Sequence, residues 1–165
     1  MIKKLFLVLI TYLFFTSNSW SMIEIDITEG NREPLPLAIT EFFYNSDEKN
    51  LLAEISANMR SVMSADLERS GLFKSINKEA FIQDNQSMHL RPRFEDWRLI
   101  KAQGLITGDL SLEGEKLKVE FRLWDTLAEK EIEALVLITT QENWRRVSHM
   151  IADKIYERLT GEEGY

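Results

Sequence analysis

Past its leading segment the chain opens with alternation: Ile23, Ile25 and Ile27 are separated by Glu24 and Asp26, the two-residue period of a strand with one apolar face. Gly30, Asn31, Pro34 and Pro36 in "TEGNREPLP" keep that strand from running on. "LAITEFF", residues 37–43, reads as a second, more buried strand, and Asn45 and Glu48 behind it have the spacing of a capping box. From about Glu48 to Arg69 the apolar residues Leu52, Ile55, Met59, Val62 and Met63 recur at three and four, which predicts a helix stopped at Ser70 and Gly71. Asp66 falls on its apolar face, either accepting hydrogen bonds from the next segment or making a polar contact, because an unpaired buried carboxylate is costly.

"LFKSI" is a short strand candidate, and the polar stretch from Asn77 to Arg93 holds neither period. "FEDWRLIKAQG" predicts a short helix against the sheet, closed by Gly104. Residues 105–140 read as a three-stranded antiparallel meander: two strands joined at Glu113-Gly114-Glu115, then a third from Glu131 to Thr140 whose Leu135 and Leu137 indicate partial cover. The last helix begins near Glu142, with Thr139 and Glu142 spaced as a capping box. Trp144, Val147, Ile151, Ile155 and Leu159 form its apolar stripe, and Gly161 its stop. Full burial of Trp144 would make its loss cost about 3–5 kcal/mol. After Gly161 the stub has little to bury. The expected fold is α/β of the α+β type, a two-layer sandwich with a mixed β-sheet and two main helices on one face.

Two features of composition change this picture. Residues 1–21 carry two lysines, an apolar run from Leu5 to Phe15 and the small residues Ser19 and Ser21, the layout of a secretory signal; the apolar run is shorter than the roughly 20 residues of a spanning helix. Cleavage after Ser21 removes Lys3 and Lys4, leaving 18 basic against 27 acidic side chains and a net charge of −9. An exported acidic domain is repelled by nucleic acid and by anionic lipid, so neither is an expected partner, and no membrane insertion follows processing. The chain has no cysteine, which rules out disulfides, thiolate metal sites and lipidation at the signal boundary.

No catalytic set assembles along the sequence. His89 and His149 lack a second ligand at metal spacing, and His149 with Asp153 reads as an i,i+4 pair on a solvent face. Gly104, Gly108 and Gly114 lie before and within strands, without a phosphate-loop lysine. Asp66, Asp96 and Asp109 are scattered acids, the best candidates for a hydrolase. The expectation is no catalytic residue, no cofactor and no metal. The unusual feature is "IEIDI" just beyond the cleavage site: it completes the domain's own sheet, or it offers its backbone to a partner.

The blocks "IEIDITEGNREPLPLAITEFF", "DLERSGLF", "FEDWRLIKAQGLITGDL", "KLKVEFRLWD" and "NWRRVSHMIADKIYERLTGEEGY", in this order, resemble the N-terminal α/β domain of the TolB family, periplasmic proteins of the Tol-Pal cell envelope system. The resemblance spans Ile23 to Tyr165. It implies a noncatalytic adaptor that supports outer membrane integrity and constriction during division, with Ile23, Glu24, Ile25, Asp26 and Ile27 binding the C-terminal domain of a TolA-like protein. It also implies a following six-bladed propeller that binds the lipoprotein Pal; that propeller is not in this sequence, which puts Pal binding in doubt. The expected organisation is therefore a signal at 1–21, the α/β domain at 22–161 and a truncated junction at 162–165. The alternatives are a gene remnant and a periplasmic hydrolase.

Overall fold

The computed structural model describes residues 23, 33–45, 49–84 and 91–164. Six strands form one mixed sheet: β1 (Leu35–Ile39), β2 (Phe43–Tyr44), β3 (Phe73–Ser75), β4 (Gly104–Glu113), β5 (Lys116–Asp125) and β6 (Lys130–Thr140). Their order is β3-β1-β4-β5-β6, with β2 alongside β4. β1 runs parallel to both β3 and β4, which requires crossover connections; α1 (Lys49–Arg69) and the short α2 (Phe94–Leu99) lie in them. β4, β5 and β6 are the expected antiparallel meander, turning at Gly114, whose φ of 65° suits glycine.

The strand expected over residues 37–43 is two strands. Ile39 pairs with Ile106 and Phe43 with Asp109, so three residues on this row face two on β4. The excess is absorbed where Phe42 turns in against Gly108; a Cβ at 108 would come within 2.6 Å of the Phe42 ring. Polar contacts hold the break: Ser56 Oγ donates to Phe42 O at 3.0 Å and Arg60 Nε to Ile39 O at 2.8 Å.

One face of the sheet carries the main core. Leu37, Ile39, Ile106, Leu117, Val119, Phe121 and Leu123 meet Leu52, Ile55, Met59 and Met63 of α1 and Val147, Ile151, Ile155 and Leu159 of α3 (Trp144–Thr160). The opposite parity belongs to the other face, where Ala38 and Leu105 pack with Trp97 of α2 and Ala102. Gly104 does not close α2, as the sequence suggests; the helix ends at Leu99, Lys101 takes φ 62°, and Gly104 is already the first residue of β4.

The start of α3 also differs from expectation. Gln141–Asn143 form a one-turn 3-10 helix, and α3 begins at Trp144 without a side-chain cap. Glu142 interacts with Thr140 rather than Thr139, and that hydrogen bond holds its carboxyl below the usual range. Trp144 is half-buried, with the Arg145 guanidinium 4.7 Å from its ring centroid, so its removal leaves a smaller cavity than full burial would have implied. Gly161 ends α3 at φ 75° as expected. The stub then folds back: a side chain at Gly164 would come within 2.7 Å of Asp153 Cβ.

Candidate partner-binding site

Of the five residues expected to meet a partner, Ile23 is described; Glu24, Ile25, Asp26 and Ile27 lie outside the described residues, as do His89 and the segment 1–21. Ile23 packs against the main core, and its backbone N–H donates to Asp125 Oδ2 at 3.0 Å. Asp125 ends β5, opposite Gly104 on β4 and Lys130 on β6, with its side chain on the core face and only 1% exposed. Its other carboxylate oxygen accepts from the N–H groups of Leu127 and Ala128, both at 2.8 Å, so one buried carboxylate caps the β5–β6 turn and holds Ile23. The charge is satisfied by donors rather than by a cation.

The floor around this anchor is fixed. Thr126 Oγ1 donates to the carbonyls of Ala102 and Gln103, and Arg98 Nη1 reaches Thr126 O at 3.2 Å and Glu129 Oε1 at 2.6 Å. Asp125 was not singled out from the sequence. The signal was there in "DTLA", an Asp whose side chain can accept from the backbone two and three residues on.

The scattered acids stay scattered. Asp96 on α2 pairs with Arg93 at 2.7 Å, Asp109 on β4 lies 3.5 Å from Arg122, and Asp66 on α1 meets Arg69 at 3.4 Å and His149 Nδ1 at 2.5 Å. Each sits on a different element with its own cation. In the segment after α1, Ser75 donates its backbone N–H to Glu68 Oε1 at 3.0 Å and accepts from Ser64 Oγ, so Glu68 rather than Asp66 takes that bond. Among the described residues no group of three or more side chains could hold a metal ion.

His149, exposed as expected, thus bonds across the helix pair to Asp66 and also acts on Asp153, four residues on. With Asp66, Arg69, Asp153 and Tyr156 it lines a groove of about 500 Å³ between α1 and α3. Burial pushes the Asp153 carboxyl up, the Asp66 carboxylate pushes it further, and His149 opposes both. The folded chain therefore holds this proton more tightly than the unfolded chain. Its stabilising contribution is present in acid and is lost as pH rises from the ordinary carboxylate range through the raised folded value. Asp153→Asn should raise Tm at about pH 7 and leave little difference at about pH 3. A lower Tm for the variant in neutral buffer would contradict this.

The chain matches a known family. The model of the TolB amino-terminal domain covers residues 23–132, beginning at the residue that Asp125 holds. This chain belongs to the TolB amino-terminal domain family. A Tol-Pal system protein TolB from Pelagibacter ubique is 46% identical, over 94% of this chain and 36% of its own length. The chain thus spans about a third of that TolB relative. The crystal structure of TolB from Acinetobacter baumannii superposes with a TM-score of 0.65 at 21% identity, over 87% of this chain and 32% of that one. A lipoprotein from Neisseria meningitidis shares the fold, with a TM-score of 0.54 at 13% identity, over 77% of this chain and 100% of its own. Among the described residues no helix is long and apolar enough to cross a membrane.

Proposed function

We propose that this chain is a noncatalytic periplasmic adaptor domain of the Tol-Pal system that binds a TolA-like C-terminal domain through Ile23, Glu24, Ile25, Asp26 and Ile27. The observation that carries the proposal is membership of the TolB amino-terminal family, with the match starting at the anchored Ile23. Fixing the segment at Ile23 gives the following "EIDI" a defined origin on the domain while Asp125 takes only backbone from it. With Ile23 packed on this domain's core, an extended "EIDI" carries Ile25 and Ile27 at alternate positions to Glu24 and Asp26, the chemistry of a strand added to a partner's sheet. The separate pairing of Asp66, Asp96 and Asp109 supports a noncatalytic role. Export with cleavage near Ser21, the junction at 162–165, and service in outer membrane integrity and division belong to the same proposal.

Calorimetry with a TolA-like C-terminal domain tests this. Ile25→Ala leaves the Ile23 anchor in place and should weaken binding by about fivefold or more, and Asp26→Lys should weaken it in a manner that shrinks with added salt. Deleting residues 22–27 should abolish binding. Retained affinity in a folded deletion variant would sink the assignment.

A further inference from the structure

Sheet edges are normally kept from pairing by brevity, charge, proline or a bulge. The β3 edge is three residues long with Lys74 exposed. The β6 edge is eleven residues long and, among the described residues, pairs with β5 alone. Its protective features crowd into the first four positions: Lys130, Glu131, Glu133 and a bulge where Ile132 is the extra residue opposite Leu123 and Trp124. From Ala134 to Gln141 there is no charge and no proline. Leu135 and Leu137 pack on the core, so Ala134, Val136 and Ile138 point to the opposite face, where Val136 is 52% and Ile138 59% exposed.

We infer that this edge pairs with the β6 edge of a second copy of the chain, antiparallel about a two-fold axis at Val136. In that register Val136 faces itself, Leu135 faces Leu137, Ala134 faces Ile138 and Glu133 faces Thr139, so no carboxylate meets another and Lys130 falls toward Glu142. The four exposed branched side chains of the two copies converge into one strip. Beside it the charges on β5 are already neutralised: Lys118 pairs with Glu120 at 2.8 Å, and Arg122 lies within 3.3–3.7 Å of Glu131, Asp109 and Glu120. On the core face Arg158 Nε of α3 donates to Ile132 O at 2.8 Å, which ties the bulged start of β6 to the helix layer. A single-strand contact is small, so the dimer is concentration-dependent. Like net charge on the copies opposes it, and salt strengthens it.

Residues 22–165 are the material for the test. Sedimentation equilibrium should show dimer growing over about a hundredfold concentration range, and Val136→Lys should weaken association at least about tenfold, because two ammonium groups then meet on the axis. Val136→Thr keeps the branched shape and should retain association, with circular dichroism confirming that both variants are folded. The chain has no native thiol, so Val136→Cys provides a single one. Directly opposed residues of antiparallel strands have Cα atoms about 4.5–5.5 Å apart, within disulfide range, and mild oxidation should give a covalent dimer. Leu127→Cys, exposed in the β5–β6 turn off the edge, should remain reduced. A monomer at every concentration overturns the inference, even if a foreign strand is captured instead. So does a dimer that survives Val136→Lys and leaves Val136→Cys uncrosslinked.

Discussion

Trp97→Ala is expected to remove about 3–5 kcal/mol of stability, among the largest losses from any single truncation in this domain. Trp97 is 1% exposed and fills the space between α2 and the second face of the sheet, against Ala38, Ala102 and Leu105. Those neighbours are small or fixed by the ladder, so they cannot close over the void. Phe81 stands edge-on to the indole at 5.0 Å and would lose that contact as well. The indole N–H donates to Gln83 Oε1 at 3.2 Å, and the same oxygen accepts from Arg93 N–H at 2.8 Å, so part of the loss is polar. Trp97→Phe should therefore cost less than Trp97→Ala, keeping most of the volume and dropping the N–H. Denaturant midpoints of the three proteins measure this directly; an unchanged midpoint for Trp97→Ala would mean that α2 does not belong to the cooperative fold.

Asp125→Ala is expected to cost about 3 kcal/mol, through hydrogen bonding rather than volume. Three backbone N–H groups, those of Ile23, Leu127 and Ala128, converge on this carboxylate and are left without it in the variant. Asp125→Asn retains an acceptor oxygen and should lose less. Hydrogen exchange gives a readout that simple loss of packing would not: the Leu127 and Ala128 amides should exchange faster than the β4–β5 ladder in the same protein. Equal protection at those amides in Asp125→Ala would show that the turn holds itself and that Asp125 is not its cap.

Much of this domain was legible in the residue pattern because its elements carry the two periods strongly. The alternation of Leu117, Val119, Phe121 and Leu123 placed β5, and the three-and-four spacing of Leu52, Ile55, Met59 and Met63 placed α1, because each element hides one apolar side. The glycines at 114 and 161 marked turns through backbone conformation, which is a local property. Ordered sequence blocks pointed to the family, and with it to the candidate segment at Ile23, Glu24, Ile25, Asp26 and Ile27. Tertiary structure decided what depends on contact between distant residues. The split of residues 37–43 into two strands came from Phe42 meeting Gly108, which no local period encodes. Asp66 and His149 are 83 positions apart, and the packing of α1 on α3 made them partners. Asp125 takes its role from Ile23, 102 positions earlier, whose N–H rests on its carboxylate. Periodicity reports which side of an element is apolar; it carries no information about which polar group the fold will bring to that side, and that choice rests on satisfying each buried donor and acceptor within the packed structure.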